Sequence, residues 1–245
     1  FFVPFLITIY AFTKEPALAA EIGIVGGSVI FIFQIFSMNA RAILLIIKSN
    51  SSGTIKEYLN IRILLGTCVI LISQIFLNTY NFENVQIILL IITIVSISWI
   101  NEINFAFLEK ENNYFLIKIL TYIKTLIFFF ISLSIILFNN VEIFLIIYCL
   151  VNLIILLYLT DWKINFFKIE KYLYYFKKNT LSFFSTSTNS FAIIFWRYSI
   201  LYFTSKDQAG TIFAVFSIAS MPGTILNNIL GQTILRDQNL DKKIK

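Results

Sequence analysis

Charged residues are absent from this chain for about twenty residues at a time, the length that an α-helix needs to cross a bilayer. Hydrophobic residues make up 58% of the 245 positions and charged residues only 13%. Soluble domains carry about 25% charged residues, so a soluble fold of this size could not cover its surface with these few. The chain is therefore predicted to be an integral membrane protein.

The charge-free stretches predict about seven or eight membrane-spanning helices, the first of them truncated. Barrel strands are not expected, because the short alternating segments that characterise them are missing. The predicted spans are the remnant before Thr13, Ile22–Met38, Ile63–Thr79, Val85–Ile100 (or as far as Phe107), Ile119–Phe138, Val141–Leu159, Leu181–Phe203 and Gly210–Leu230. The predicted fold class is all-α, a polytopic transmembrane helical bundle.

Basic residues are concentrated in every second connection between the predicted spans. Side A comprises the connections 39–62, 101–124 and 160–180 with the segment 236–245, which hold 16 of the 19 basic residues. Side B holds only Lys14 and Lys206, and Arg197 lies inside the seventh span. Because cytoplasmic loops are enriched in Lys and Arg, side A is predicted to be cytoplasmic. The expected location is a bacterial cytoplasmic (inner) membrane, crossed many times.

The net charge of +6 follows from this asymmetry and does not indicate nucleic-acid binding. The segment Lys163–Lys178 interleaves lysines with aromatic residues, a pattern that would also suit base stacking. An amphipathic segment lying against anionic lipid headgroups explains the same residues more simply. Membrane lipids, and no nucleic acid, are therefore the predicted partners.

Residue types suited to catalysis or metal binding are scarce. The chain has no His, its two cysteines lie in apolar runs, and the acidic residues of the short side B connections are scattered. Neither a phosphate-binding Gly-rich loop nor a nucleophile elbow occurs. We expect no catalytic residue, no metal site and no cofactor, and the chain is predicted not to be an enzyme.

Polar residues interrupt the seventh span, where a lipid-facing helix should be apolar. Residues 181–190 include seven polar residues. At about 100° per residue, one arc of the helix collects Ser182, Thr186, Asn189 and Arg197, with Ser190 at its border. Such a stripe faces either a neighbouring helix or a wet cavity, and the hydroxyl groups suit both equally.

Arg197 is the strongest candidate for a functional residue. A charge inside the bilayer costs about 2.5–3.5 kcal/mol even on the insertion scale, and a guanidinium offers a donor fork suited to phosphate. Two interpretations stay open: Arg197 binds an anionic substrate group or an internal carboxylate, or it snorkels toward side B. Arg41, at the inner end of the second span, is a weaker candidate that the charge bias alone would explain.

A Pro-Gly pair marks the eighth span. Pro222-Gly223 is expected to kink or interrupt this helix within the membrane. Interrupted helices form cavities and hinges in transporters, although the same kink could be purely architectural.

Residues 196–222 resemble the polysaccharide-transporter branch of the multidrug/oligosaccharidyl-lipid/polysaccharide exporter superfamily. In that family a helix ends in an Arg-containing motif and is followed by a short exterior loop, then Ala-Gly-x-(Tyr)-x-Ala and a helix with a Pro. This chain has Arg197, Ala209-Gly210 and Pro222 in those places. Where the family often has Asp before the Arg, it has Trp196. The stretch Ala19-Ala-Glu-Ile-Gly23 before a Gly-rich helix is also similar.

The resemblance implies a fragment of a transporter with about 12–14 spans in two related bundles. Residues 1–178 would form an N-terminal bundle of about six spans, and residues 179–245 the start of a second. The implied function is flipping of a lipid-linked (polyprenyl-diphosphate) oligosaccharide for O-antigen, capsule or exopolysaccharide synthesis. Other polysaccharide-assembly proteins would be further partners. The polar stripe, Arg197 and Arg41 would line the cavity, and Pro222-Gly223 would act as the hinge.

Two alternatives stay open. A multidrug or small-solute antiporter of the same superfamily would need an intramembrane carboxylate for ion coupling, and none lies centrally in the predicted spans. A polytopic glycosyltransferase or polysaccharide polymerase would need a large exterior loop, which this chain lacks between its predicted spans.

Overall fold

The computed structural model describes residues 2–13, 15–37, 40–41, 44, 52–79, 84–137, 142–160, 180–223 and 226. Throughout these ranges the regular structure is helical, as the all-α prediction requires. The helices are α1 (Phe2–Thr13), α2 (Pro16–Ser37), α3 (Ser52–Thr79), α4 (Val85–Lys110), α5 (Tyr114–Leu137), α6 (Glu142–Leu159), α7 (Thr180–Phe203) and α8 (residues 206–223). The predicted interfacial segment Lys163–Lys178 and the segment 236–245 lie outside the described residues.

Five of the described helices are long and apolar enough to cross a membrane. They are α2, α4 and α6 over their whole length, α3 from Tyr58 onward and α5 as far as Ser134. The helix α1 is apolar but shorter, and the polar α7 is not among the five. The chain thus has the architecture of a multi-pass membrane protein, and the larger number of spans expected from the sequence stays a prediction.

Several helices begin earlier than the charge-free stretches predict, and the difference is largest for α2 and α3. The helix α2 begins at Pro16 instead of Ile22, and α3 begins at Ser52 instead of Ile63. Proline suits the first helical position because its missing N–H would have no partner there. As a result Glu21 and Arg62 are buried helical residues, although the sequence alone assigns both to loops.

The helices α2 and α4 occupy the centre of the bundle. The helix α2 packs against α1, α4 and α7, and α4 also packs against α3, α5 and α6. One apolar cluster joins α1, α2, α4 and α8 and includes Leu6, Ile22 and Phe213. A second cluster joins α2, α3 and α4 around Phe33 and Ile92. This arrangement brings α2 into contact with both helices that carry the motif residues of the C-terminal half.

Large apolar side chains cover the outer faces of α3, α5 and α6. Exposed examples are Leu71, Ile72, Ile75, Phe115, Tyr122, Phe129, Ile147, Ile154 and Leu157. A soluble monomer rarely exposes an apolar surface of this extent, whereas lipid chains are as apolar as these side chains. The surface of the bundle and the composition of the chain therefore both indicate that lipid surrounds the helices.

Ion pairs connect residues that belong to the same predicted side. The side A pairs are Arg41–Glu109 at 2.7 Å and Arg62–Glu102 at 2.8 Å. The side B pair is Lys206–Glu21 at 3.1 Å. These pairs are consistent with helices that alternate in direction, and which side is cytoplasmic stays a prediction.

Cysteine labelling tests the predicted sides. After Cys68 and Cys149 are replaced by Ala, a single Cys at Asp207 is expected to react with a membrane-impermeant maleimide in intact cells. A single Cys at Glu111 is expected to react only in inverted vesicles or permeabilised cells. Both positions are exposed, so burial would not explain a failure to react. Labelling of both positions from one side would contradict the alternation.

Candidate functional site

Arg197 lies between α7 and the first half of α2. Its Nη1 atom donates a hydrogen bond to the carbonyl oxygen of Gly23, and the same nitrogen occupies the space that a Cβ on Gly27 would need. The guanidinium carbon lies 5.7 Å from the ring centre of Phe213 on α8. Two glycines one turn apart on α2 thus make room for a cationic side chain between three helices.

Arg197 has no carboxylate partner among the residues that the structure describes. Its hydrogen-bond acceptor is a backbone carbonyl, and its Nε atom is buried without an acceptor. The preceding residue, Trp196, packs against Phe213 and Phe216 instead of supplying an acid. A buried donor without a partner costs about 1–3 kcal/mol. The site therefore favours a ligand that brings both negative charge and hydrogen-bond acceptors.

The structure places the remaining residues of the predicted polar stripe in different surroundings. Ser190 is buried, and its hydroxyl lies 2.6 Å from Oε1 of Gln34 on α2. Asn189 is exposed. The side chains of Ser182 and Thr186 lie outside the described residues. Ser190 and Arg197 thus form an edge of α7 that faces α2, and a cavity-lining role for Asn189 stays a prediction.

Arg41 is held by a carboxylate at the end of α4. Its Nη2 atom lies 2.7 Å from Oε1 of Glu109, and its Nε atom lies 3.4 Å from Oε2. A two-pronged contact of this kind fixes the orientation of a guanidinium. This geometry supports a structural role in tying the chain after α2 to α4, and substrate contact by Arg41 stays a prediction.

Pro222 and Gly223 lie at the end of the described part of α8. Both are exposed, and the helix is continuous from residue 206 to residue 223. The residues that directly follow lie outside the description, so a kink or hinge at this pair stays a prediction.

A polar cluster around the buried Arg62, between α2, α3 and α4, was not predicted from the sequence. Arg62 is only 1% exposed. It donates to the carboxylate of Glu102 at 2.8 Å, to the hydroxyl of Ser37 at 2.9 Å and to the carbonyl of Trp99. Its guanidinium carbon lies 4.6 Å from the ring centre of Trp99, and that ring stacks on Phe33 at 4.4 Å. The cluster ties the side A ends of three helices together.

Buried asparagines extend this polar layer toward α6. Asn101 donates to the carbonyl of Asn152 at 3.0 Å, and Asn104 donates to the hydroxyl of Thr160 at 3.2 Å. Hydrogen bonds of this kind hold helices together within a membrane. The sequence did carry a signal, because Asn101, Glu102 and Asn104 are grouped in an otherwise apolar stretch.

The contact between α2 and α8, here called the α2–α8 seam, comprises Glu21, Gly23, Lys206, Gly210 and Phe213. Lys206 donates to the buried carboxylate of Glu21 at 3.1 Å. The backbone of Gly210 lies so close to the carbonyl of Pro16 that no Cβ would fit, and a Cβ on Gly23 would lie 2.7 Å from the Phe213 ring. The seam joins α2 to α8 on the predicted side B, beside Arg197.

Comparison of the chain with models of known protein families, with curated proteins and with solved structures finds no match. The resemblance to the exporter superfamily therefore rests on the motif residues themselves. What the site can bind follows from its own charges and hydrogen-bonding groups.

Proposed function

We propose that this protein is a membrane transporter that flips a lipid-linked (polyprenyl-diphosphate) oligosaccharide across a bacterial cytoplasmic membrane. The product would serve O-antigen, capsule or exopolysaccharide synthesis. The observation that carries the proposal is Arg197, a cation between α2, α7 and α8 whose described contacts include no carboxylate. The five apolar helices supply the membrane setting, and the motif resemblance supplies the substrate class.

A phosphate group is a better acceptor for Arg197 than the backbone carbonyl that it contacts. A guanidinium has five N–H donors in a planar fork that matches phosphate, and charge-assisted hydrogen bonds are about twice as strong as neutral ones. A diphosphate that enters between the helices would draw the guanidinium away from Gly23 and loosen its contact with α2. Binding of the headgroup is thereby coupled to the packing of α7 against α2.

The rest of the substrate would use two different surfaces of the protein. Exposed polar side chains on α2 and α7, such as Gln34 and Asn189, suit the hydroxyl groups of sugars. The polyprenyl chain would remain in the lipid, against the exposed apolar faces of the bundle. Release on side B would require the α2–α8 seam to open, because this contact lies beside Arg197 on that side.

A multidrug or small-solute antiporter of the same superfamily is the main alternative. Two carboxylates lie inside helices, Glu21 near the beginning of α2 and Glu102 toward the end of α4, and neither lies centrally in a predicted span. Each of them accepts a hydrogen bond from a basic side chain, from Lys206 or from Arg62. A carboxylate that is already paired in this way is less available to a coupling ion, which favours the lipid-linked substrate.

Substitution of Arg197 tests the proposed function. Arg197→Ala in the full-length protein is expected to reduce surface polysaccharide to about a tenth or less, because a charged hydrogen-bonding group contributes about 1.5–3 kcal/mol. Arg197→Lys keeps the charge but not the fork, and an intermediate level is expected. The measurement is surface polysaccharide at matched expression, in cells that lack the native copy.

Ser199→Ala is the matched control for these variants. Ser199 lies two residues from Arg197 on the same helix, and its hydroxyl donates to the carbonyl of Phe195 within that helix. Export by this variant is expected to equal that of the wild type. Normal export by both Arg197 variants would refute the proposed function.

A further inference from the structure

Ser217 on α8 carries a buried hydroxyl group that has no hydrogen-bond partner among the described residues. The residue is 2% exposed, and its Oγ atom is unpaired. Serine and threonine in membrane helices usually donate to the carbonyl four residues earlier, as Ser28, Thr93 and Ser199 do here. Ser217 does not make this bond. Its hydroxyl is therefore free to meet a ligand.

Ser217 lies at the depth of Arg197 in the bundle. The helices α2 and α8 run in the same direction, because Gly210 packs between Pro16 and Ala20, and Phe213, three residues later on α8, packs on Gly23, three residues after Ala20. Ser217 follows Phe213 by four residues, so it lies on the same face of α8 about 6 Å further along. The same step along α2 leads from Gly23 to Gly27, which Arg197 contacts.

Two unsatisfied buried groups therefore share one region between α2, α7 and α8. The Nε atom of Arg197 can only donate a hydrogen bond, and the hydroxyl of Ser217 can also donate one. A ligand that satisfies both must offer at least two acceptors, and the guanidinium favours one with negative charge. A phosphate group has both properties, whereas a water molecule would leave the positive charge uncompensated.

We propose that Ser217 is a further binding residue that donates its hydroxyl to the phosphate group held by Arg197. The inference rests on the proposed function, since it takes the diphosphate of a polyprenyl lipid as the ligand. The chemistry that is recognised is a lipid phosphate. An anionic phospholipid headgroup is the second source of that chemistry, and the experiment below separates the two.

Binding to the purified full chain in detergent micelles tests the proposal, with a polyprenyl diphosphate without sugar as the probe. Ser217→Ala is expected to weaken binding about tenfold, the effect of losing one hydrogen bond to a charged group. Ser217→Thr keeps the hydroxyl and is expected to bind within about twofold of the wild type. Ser199→Ala serves again as the control and should leave the affinity unchanged.

A parallel titration with phosphatidylglycerol separates the two sources of phosphate. If Ser217→Ala loses affinity only for the polyprenyl diphosphate, that lipid is supported as the ligand of Ser217. An equal loss of affinity for phosphatidylglycerol supports the same contact between Ser217 and a phosphate group, with a phospholipid headgroup as the source of that phosphate.

Failure of this inference can be distinguished from failure of the proposed function. If the wild type binds the probe, Arg197→Ala abolishes binding and Ser217→Ala has no effect, then Ser217 is not a binding residue and the flippase proposal stands. If the wild type does not bind the probe at all, both are overturned. Loss of binding in both Ser217→Ala and Ser217→Thr, when each unfolds with the stability of the wild type, would also overturn the role of the hydroxyl.

Discussion

Replacing Glu102 by Gln is expected to lower the free energy of unfolding by about 3 kcal/mol, because leaving a buried charge without its partner typically costs about 3–5 kcal/mol and the Glu102 side chain is itself 35% exposed, which reduces the loss. Gln keeps the shape of Glu102 but not its charge, so the guanidinium of Arg62 loses its counterion while only 1% exposed. The carbonyl of Trp99, the Trp99 ring and the hydroxyl of Ser37 still contact Arg62. These contacts place the loss at the lower end of the range. Unfolding of the purified chain in mixed micelles, followed by circular dichroism, measures it.

Glu109→Gln is the matched control, because Glu109 lies two turns further along α4 and pairs with Arg41. The side chains of Arg41 and Glu109 are 31% and 21% exposed, whereas the side chain of Glu102 is 35% exposed and that of Arg62 only 2%, so the two pairs differ in the burial of the arginine. Exposed pairs contribute about 0–1 kcal/mol, so Glu109→Gln is expected to cost less than about 1 kcal/mol. The double variant Arg62→Met/Glu102→Gln removes the buried charge and should regain most of the lost stability. Equal losses in the two Glu→Gln variants would contradict the burial of the Arg62 charge.

The ends of several helices could be predicted from the sequence better than their beginnings. The helices α3, α6 and α7 end at Thr79, Leu159 and Phe203, where the charge-free stretches also end. The early starts of α2 and α3 were missed because Glu21 and Arg62 were treated as limits of the membrane segment. Hydropathy does not indicate whether a charged side chain finds a partner. Arg62 pairs with Glu102, which lies 40 positions later in the chain, and Glu21 pairs with Lys206, which lies 185 positions later.

The candidate site could be predicted only in part from the sequence, for a related reason. Arg197 stands out because a lone charge in an apolar helix is costly, but its contact with Gly23, 174 positions away, leaves no local pattern. The helical periodicity grouped Asn189 with Ser190, which the structure separates, since one step of about 100° can turn a side chain from a buried contact to an exposed surface. Ser217 stands out in the sequence only as one of several small residues of the eighth span, which indicates helix packing and not binding. Only the packing of α8 shows that its hydroxyl does not bond to its own helix.

A second prediction of a large effect follows from the tight contact between α2 and α8. Gly210→Ala is expected to lower the free energy of unfolding by at least about 2 kcal/mol, since overpacking a close contact costs typically about 1–3 kcal/mol. The new Cβ would collide with the carbonyl oxygen of Pro16 and lie 2.7 Å from its carbonyl carbon and 3.2 Å from the backbone nitrogen of Ala20. These are backbone atoms, which cannot rotate away as a side chain would. The two helices would have to separate, and the Lys206–Glu21 pair would separate with them.

Gly223→Ala is the control for Gly210→Ala, because it makes the same chemical change in the same helix where no described atom lies within 4 Å of the new Cβ. Ala favours helix over Gly by up to about 1 kcal/mol, so Gly223→Ala is expected to be neutral or slightly stabilising in the same unfolding measurement. The difference between the two variants therefore reports the packing of the α2–α8 seam and not the helix propensity of Ala. If Gly210→Ala were as stable as Gly223→Ala, the close packing of α8 on α2 would be wrong. The proposed release step, which requires this contact to open, would then lose its basis as well.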